Sequence, residues 1–485
     1  MRSVSILLSL FLAGPVWAGE ESHFSRPHIE RTEGARSITV NGEVFVNHGL
    51  VGTGGLPAGT VDFLGDTLGS FSSLQIAPGS WKRVGDHYEG VLWTLPDRGR
   101  NDPAANLFFD YPARLHRFRI RFSQTDGRLT LSPDGGLTLR DFTGAPFTGV
   151  DPGAGTLTRR GFLLPAPADG TGRGKISIDA ESLQFRQDGS FYIGDEYTAN
   201  IYYFDRLGQL RGIIRPPAAI VPRRHGKTFF GSLKAPDSGR RNNQGAEGMA
   251  LSPDGRTLFV VLQSALVQDS ATGNAAGRVN TRVLVYDVSE TPTPNHPVAH
   301  HVVRLPAYND DGDGSAPNRT AAQSEIRALD DHRFLMLARD GAGRGADNGK
   351  PVVYKTILLV DVTGATNLAG TDHENGGASV LRNPTETALR SDISPARWTE
   401  LVNMLNPPQL ARFGLDIETL SEKWEAMDLV PADDAGHPHE YFLLVGNDND
   451  FTARRCRMSG EMCDGTLDND NRILVYRLTL PKPLR

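Results

Sequence analysis

One unit recurs along the chain: a strand that begins near an acidic residue, a tight turn, and a second strand that ends in acidic or amide residues. Its clearest copy runs from Asp179 to Asp205. This copy carries Glu181 in its first strand, a turn at Asp188-Gly189 and the acidic pair Asp195-Glu196 at the end of its second strand. A unit of this kind cannot bury its own faces, so neighbouring copies must pack against one another.

The unit returns three times downstream and once, without its acid, upstream, where Ser72 and Ser73 stand near the expected position. The acids of the four complete units are Glu181, Glu247, Glu325 and Glu425. Units of about four strands repeated around a ring are typical of a β-propeller. We therefore predict an all-β propeller of five or six blades, because a β-sandwich would explain many short strands but not the recurring acid.

The two ends of the chain and one internal stretch complete this organisation. Residues 61–485 are predicted to form the propeller domain. Residues 19–60 contain a strand pair around Asn41-Gly42, predicted either to complete the last blade beside Arg472–Leu480 or to supply a sixth blade. A small helical insertion is expected near 394–424. Ser394 suits an N-cap, and the apolar residues that follow it at helical spacing are Trp398, Leu401, Val402 and Leu405.

The first residues predict export. Arg2, an apolar run from Ile6 to Leu12 and a small-residue site ending at Ala18 form a signal peptide over residues 1–18, with cleavage near Ala18. The run is too short to span a bilayer, and no later segment is long enough. We expect a secreted or periplasmic monomer. Its net charge of −6 argues against a general nucleic-acid partner.

The two cysteines, Cys456 and Cys463, lie close together near the C-terminus. In an oxidising compartment, a local disulfide between them is the first expectation. A zinc site would need further Cys or His ligands, so we predict a structural bridge.

The recurring acids predict a metal site. In a propeller the first strand of each blade lines the channel, and the end of the antiparallel second strand lies at the same mouth. Converging carboxylates repel unless a cation, an Arg or a shared proton compensates them, and oxygen ligands suit calcium. The predicted metal ligands are Asp97, Asp195, Glu196, Glu325, Asp340, Glu425, Asn447 and Asp448. Alternatively, each Glu bonds backbone amides or pairs with Arg98, Arg327 or Arg339.

Seven motifs, in order along the chain, resemble the phytase-like family, which is described as having esterase-like activity of phytase. They are DRGRNDP at Asp97, DAESL at Asp179, GDEY at Gly194, AEGMALSPDG at Ala246, SEIRAL at Ser324, WEAMDL at Trp424 and GNDNDF at Gly446. The resemblance covers about Val61 to Leu480. It implies an exported bacterial β-propeller with ester or phosphoester hydrolase activity.

Three functions follow from these patterns. The first is a calcium-dependent phosphoester hydrolase, with Glu181 or Glu247 as general base and Arg98 and Arg339 binding substrate oxygens. The second is a calcium-dependent carboxylesterase or lactonase acting on a small-molecule ester. The third is a non-catalytic binding module in which calcium only stabilises the propeller.

Overall fold

The computed structural model describes residues 23–69, 71–346 and 348–484. The predicted signal peptide lies outside these residues. The described chain is nearly all β, and the helices are short: α1 (Asp372–Asn375), α2 (Pro407–Ala411) and the 3₁₀ turns Val267–Asp269, Ala275–Gly277 and Ile417–Thr419. No helix in the described ranges is both long and apolar enough to cross a membrane.

Thirty-three strands follow one another along the described chain. The first half of them are β1 (His23–Phe24), β2 (Arg36–Val40), β3 (Glu43–Leu56), β4 (Ser73–Ile76), β5 (Lys82–Val84), β6 (His87–Leu95), β7 (Asn101–Asp102), β8 (Leu107–Phe108), β9 (Arg114–Ser123), β10 (Arg128–Thr138), β11 (Thr156–Arg159), β12 (Phe162–Pro165), β13 (Ala180–Phe185), β14 (Phe191–Asp195), β15 (Ile201–Phe204), β16 (Leu210–Ile214) and β17 (Arg223–Arg224). The others are β18 (Lys227–Thr228), β19 (Ala246–Leu251), β20 (Thr257–Leu262), β21 (Asn280–Asp287), β22 (Ala299–Arg304), β23 (Ala307–Tyr308), β24 (Arg319–Thr320), β25 (Ala322–Ala328), β26 (Arg333–Arg339), β27 (Lys355–Asp361), β28 (Arg397–Asn403), β29 (Lys423–Pro431), β30 (Glu440–Asp448), β31 (Arg457–Met458), β32 (Glu461–Met462) and β33 (Asn471–Thr479).

The long strands form five antiparallel units of four strands each. Unit 1 is β4-β6-β9-β10, unit 2 is β13-β14-β15-β16, unit 3 is β19-β20-β21-β22, unit 4 is β25-β26-β27-β28, and unit 5 is β29-β30-β33-β3. Units 1 and 5 are continuous in one sheet, because β10 pairs in parallel with β3. Gly54 permits that contact, since a Cβ there would lie 1.8 Å from the carbonyl oxygen of Leu129.

The units pack in a closed cycle. The first strands contact one another in the order β4, β13, β19, β25, β29 and again β4. A separate apolar core fills the space between each pair of successive units, and each of these cores draws buried side chains from both of its sheets. The alternating apolar residues of each strand are therefore buried between neighbouring units.

The N-terminal and C-terminal segments join within unit 5. Strand β3 pairs antiparallel with β33, which in turn pairs with β30. The strand pair predicted around Asn41-Gly42 is the β2-β3 hairpin, whose turn residues have φ angles of 51° and 81°. These positive values match the Asn-Gly turn that such hairpins favour.

The helix predicted from Ser394 is wrong. Residues 397–403 form β28, the outermost strand of unit 4, and Trp398, Leu401 and Val402 are buried there. The register with β27 shifts at Leu401, so that strand β28 carries one extra residue. This β-bulge interrupts the alternation of period two and produces an apolar spacing that resembles a helix. Within 394–424 only α2 and one 3₁₀ turn are helical, and the end of this range belongs to β29.

The predicted disulfide is confirmed. Cys456 and Cys463 are bonded, with their Cα atoms 4.8 Å apart. The bridge closes the short hairpin of β31 and β32. Met458 in this hairpin packs with Tyr111 and Phe451 in a small apolar cluster beside the end of unit 5.

Glu325 ties three units together at the middle of the cycle. Its carboxylate accepts hydrogen bonds from Ser73 Oγ of unit 1 at 2.5 Å and from the Met249 amide of unit 3 at 3.2 Å. Arg327 lies two residues farther along the same strand. It donates hydrogen bonds to the Leu74 carbonyl at 2.7 Å and to Asp428 at 3.1 Å. These polar side chains fill the space between the first strands.

Replacing Glu325 with Ala should therefore destabilise the whole cycle. The substitution leaves buried donors from two other units without an acceptor, so we expect a loss of about 3 kcal/mol in the free energy of unfolding. Urea denaturation measures this loss. Glu325→Gln keeps an acceptor oxygen and should cost less, while Glu290→Ala, at an exposed position, is the control. A Glu325→Ala curve that coincides with the control would contradict this role.

Candidate functional site

Irregularities in the strand pairing place three of the recurring acids. Glu181, Glu247 and Glu425 are each the extra residue of a β-bulge in the first strand of units 2, 3 and 5. A bulged residue leaves the ladder and its side chain is redirected. The three acids therefore share one structural position at the same end of the cycle.

Unit 4 differs from this pattern by one residue. There Ser324 is the bulged residue, and Glu325 is paired with Leu337 one position farther along the strand. Glu325 consequently lies at the level of Ser73 and bonds to it, whereas the other three acids lie one residue closer to the strand start. Burial raises the pKa of Glu325 to about 7.

Buried carboxyl groups meet at this end and form what we call the acidic cluster. Its members fall into overlapping groups whose oxygen atoms lie within 4.8 Å of one another: Glu181 with Glu196 and Glu247, Asp97 with Asp179 and Glu181, and Asp97 with Asp448 and Asp450. Glu425 joins them through Lys423, which contacts both Glu425 and Asp448. The cluster thus contains eight carboxyl groups.

Four cationic side chains accompany the acidic cluster. Arg98 pairs with Asp179 at 2.8 Å, and Arg339 pairs with Glu425. Lys423 lies 2.5 Å from Asp448 and 3.0 Å from Asp450. Arg240 is fully buried and acts electrostatically on Glu196 without bonding to it directly. Full ionisation would leave four negative charges uncompensated.

Burial and mutual repulsion change the pKa values of the acids in this cluster. Burial, and after it the charge of a neighbouring carboxylate, raises the pKa of Glu181, Glu196, Glu247 and Asp97 well above the usual values. Burial also opposes ionisation of Glu425, but Lys423 and Arg339 outweigh it and lower the pKa of that carboxyl. Glu425 is therefore balanced by cations, and the group of Glu181, Glu196 and Glu247 is not.

The unbalanced side also contains oxygen atoms without hydrogen-bond partners. Both carboxylate oxygens of Glu196 and the Oε2 atom of Glu247 are buried and accept no hydrogen bond from the described residues. The other oxygen of Glu247 accepts from Gln263 at 2.8 Å. Unpaired buried carboxylate oxygens are costly, and Glu181, Glu196 and Glu247, which bring one oxygen each within 4.8 Å of the others, fit a hard divalent cation such as calcium.

Three of the predicted ligands have structural contacts that occupy their oxygens. Asp195 accepts from the amides of Asp179 and Thr198, and these bonds shape the turn that follows β14. Asp340 accepts from two amides at the start of β27 and pairs with Lys355 at 2.8 Å. Asn447 bridges to the backbone at Asp470 and Arg472. The structure brings neither these three nor Glu325, whose oxygens accept from Ser73 and Met249, into the acidic cluster.

Two long connections cover the acidic cluster: one joins β10 to β13 and contains Asp151, and the other joins β16 to β19 and contains Ser232 and Arg240. Arg98 donates to Ser232 at 3.2 Å, and Ser232 bonds to Asp151 of the other connection. Arg240 donates to the Tyr197 carbonyl, directly after Glu196. The predicted channel mouth is therefore covered on its Glu196 side, while the side chains of Lys423 and Asp450 on the other side remain 22% and 35% exposed.

Cavities also lie away from the acidic cluster. One of about 590 Å³ opens at the opposite end of the cycle, where Arg327 and Asp428 form part of its lining. Both side chains are already bonded to each other and to backbone groups of units 1 and 3. We place the candidate site at the acidic cluster, because unpaired buried oxygens occur there.

Sequence reasoning omitted one member of the acidic cluster, Asp179, and one accompanying cation, Lys423, which a closer comparison of the units indicates. Asp179 stands two residues before Glu181, and Lys423 stands two residues before Glu425, so the two occupy equivalent positions. The third equivalent is Gly245, whose missing side chain allows close approach: a Cβ there would lie 2.4 Å from the Glu196 carbonyl oxygen. The equivalent position of these residues in each unit was the sequence signal that could have identified Asp179 and Lys423.

Comparison with known proteins gives the same family as the seven sequence motifs. A family described as "Phytase-like: Esterase-like activity of phytase" matches residues 67–451, which include every member of the acidic cluster. The chain belongs to the Phytase-like family. An uncharacterized secreted protein of Arthroderma benhamiae is 32% identical over 497 aligned residues, covering 93% of this chain and 94% of that relative. The predicted export and the predicted bacterial origin of this chain both stay predictions.

Similar solved structures include a PQQ-bound aldose sugar dehydrogenase from Streptomyces coelicolor, at 12% identity, 95% and 96% coverage and a TM-score of 0.27. Another is the major allergen Mala s 1 of Malassezia sympodialis, at 11% identity, 94% and 92% coverage and a TM-score of 0.30. At these scores neither likeness carries a structural or functional argument.

The raised pKa values generate a prediction about pH. A carboxyl whose pKa is raised by folding binds its proton more tightly in the folded state, so its contribution to stability is lost as pH rises above the usual value of 4.5. Glu247→Gln mimics the protonated acid. In chelator, the stability of this variant relative to wild type should rise from about pH 5 to about pH 8, by up to about 1.4 kcal/mol per pH unit.

Thermal and urea denaturation across this pH series measure that difference. Glu290→Gln, at an exposed position, should show no pH-dependent difference from wild type. A Glu247→Gln difference that stays constant over the series would show that Glu247 titrates normally in the folded protein.

Proposed function

We propose that this protein is an exported, calcium-dependent phosphoester hydrolase whose five units form a five-bladed β-propeller. The cyclic contacts between first strands and the five apolar cores between successive units support the architecture. Membership of the Phytase-like family supports a hydrolase of the phosphoesterase type. The observation that carries the proposal is the set of unpaired, buried oxygens on Glu196 and Glu247.

The proposed calcium site is formed by Glu181, Glu196 and Glu247, which place one oxygen each within 4.8 Å of one another. Their ligand type suits a hard cation, and backbone or water oxygens would complete its coordination. A bound divalent cation polarises a substrate oxygen and lowers the pKa of a coordinated water. Since the ligands come from three strand ends in two units, binding would also hold those units together.

The neighbouring side chains have separate proposed roles. Glu181 belongs to two of the overlapping three-residue groups of the acidic cluster, and burial, together with the neighbouring Glu247, raises its pKa well above the usual value. It is therefore the proposed general base. Arg98 and Arg339, proposed to bind substrate oxygens, now pair with Asp179 and Glu425 and would have to exchange these partners for the substrate.

Assays on the purified mature protein test the proposal. Nitrophenyl phosphate, bis-nitrophenyl phosphate, phytate, short acyl esters and lactones are offered with calcium or with chelator. We expect calcium-dependent turnover of phosphoesters, reduced at least about 100-fold by Glu181→Gln because a general base is lost. Glu247→Gln should weaken calcium dependence, since it removes one charged ligand, and Glu290→Gln should match wild type.

Other outcomes would overturn parts of the proposal. Turnover confined to acyl esters or lactones would support a carboxylesterase or lactonase. Calcium-dependent melting without turnover on any substrate would support a binding module. Metal analysis that finds no bound ion at saturating calcium would falsify the calcium site itself.

A further inference from the structure

The two sides of the acidic cluster are neutralised differently. On one side, Glu181, Glu196 and Glu247 converge without an ion pair to any Lys, Arg or His of the described residues. On the other side, Asp97, Asp448 and Asp450 form an equally compact group, with one oxygen each within 4.8 Å of the others. A lysine ammonium lies at this second group.

Lys423 contacts two members of the second group, Asp448 and Asp450, and also the neighbouring Glu425. Its Nζ atom lies 2.5 Å from Asp448, 3.0 Å from Asp450 and 3.3 Å from Glu425. It is the first residue of β29 and lies directly opposite Asp448 of β30, so the strand pairing itself places the ammonium among these oxygens. Three carboxylates around one nitrogen are more than an ordinary surface ion pair provides.

The surrounding carboxylates favour the protonated, charged form of Lys423. Burial disfavours its ammonium form, but Asp448, Asp450 and Glu425 outweigh that penalty and hold its pKa well above the usual value. The opposite charges also explain why Glu425 ionises more readily than the acids of the Glu196 side. Lys423 thus supplies in the polypeptide a positive charge that Glu181, Glu196 and Glu247 lack.

We infer that Lys423 is a built-in cation that fills the second acidic group, so that the cluster binds one divalent ion and not two. The inference uses the proposed calcium site only as the reference for counting ions. It follows that a neutral side chain at position 423 exposes Asp97, Asp448 and Asp450 as a second site for a divalent cation. Both groups offer carboxylate oxygens as ligands. The lysine at the second group is what distinguishes it from the first.

Counting bound calcium tests this inference. Equilibrium dialysis with metal analysis is carried out on wild type, Lys423→Met, Lys423→Arg, Glu247→Gln and the Lys423→Met/Glu247→Gln double variant. We expect one ion for wild type, two for Lys423→Met and one for Lys423→Arg, which keeps the charge. Glu247→Gln should lose its ion at moderate calcium, and the double variant should regain one at the second group.

Thermal melting supplies an independent measurement on the same proteins. Lys423→Met leaves buried carboxylates uncompensated, so its melting temperature should fall in chelator and recover with calcium by more than the wild-type increment. Lys423→Arg should show the wild-type increment. If Lys423→Met does not fold, the counts for wild type and Lys423→Arg decide: one ion in each supports the inference, and two in either overturns it.

The remaining outcomes separate this inference from the proposed function. No ion in wild type but one in Lys423→Met would overturn the calcium site at Glu181, Glu196 and Glu247 and support the role of Lys423. Two ions in wild type, or no additional ion in folded Lys423→Met, would overturn the role of Lys423. No ion in any variant would overturn both.

Discussion

Uncompensated negative charge in a buried place is the constraint on which this end of the molecule depends. Eight carboxyl groups meet there, and four cationic side chains accompany them. Carboxylates removed from water stay ionised only when cations or hydrogen-bond donors replace the lost solvation. Protons or a divalent ion must therefore neutralise the remainder, and both solutions make folding depend on the pH or on the concentration of divalent ions.

The cycle of units creates this constraint and also confines it to one end. Because the first strands lie side by side, residues at their starts necessarily approach one another. One residue farther along, Glu325 reaches Ser73 and Met249, and Arg327 then reaches Leu74 and Asp428. These bonded side chains separate the acidic cluster from the cavity at the opposite end. The two ends of the cycle can consequently have unrelated functions.

Several parts of the fold and site could be predicted from local patterns. The repeated unit led to the four-stranded sheets, the Asn41-Gly42 turn led to the first hairpin, and the acids of three units led to the cluster. The patterns failed where pairing between strands shifts by one residue. A bulge at Leu401 made β28 resemble a helix, and a bulge at Ser324 moved Glu325 out of the position shared by the other acids. Bulges depend on the partner strand, so neither strand's own sequence reveals them.

The sequence by itself determined that strands would repeat, that acids would recur near their starts and that the two cysteines could bridge, because these properties belong to short stretches of chain. Only the tertiary structure decided which acids remain unpaired. Asp195 and Asp340 were drawn into backbone hydrogen bonds, Glu425 was paired with Lys423 and Arg339, and Glu196 was left without a donor. The partners of a buried carboxylate come from distant parts of the chain, so its charge state is settled only when the units have closed their cycle.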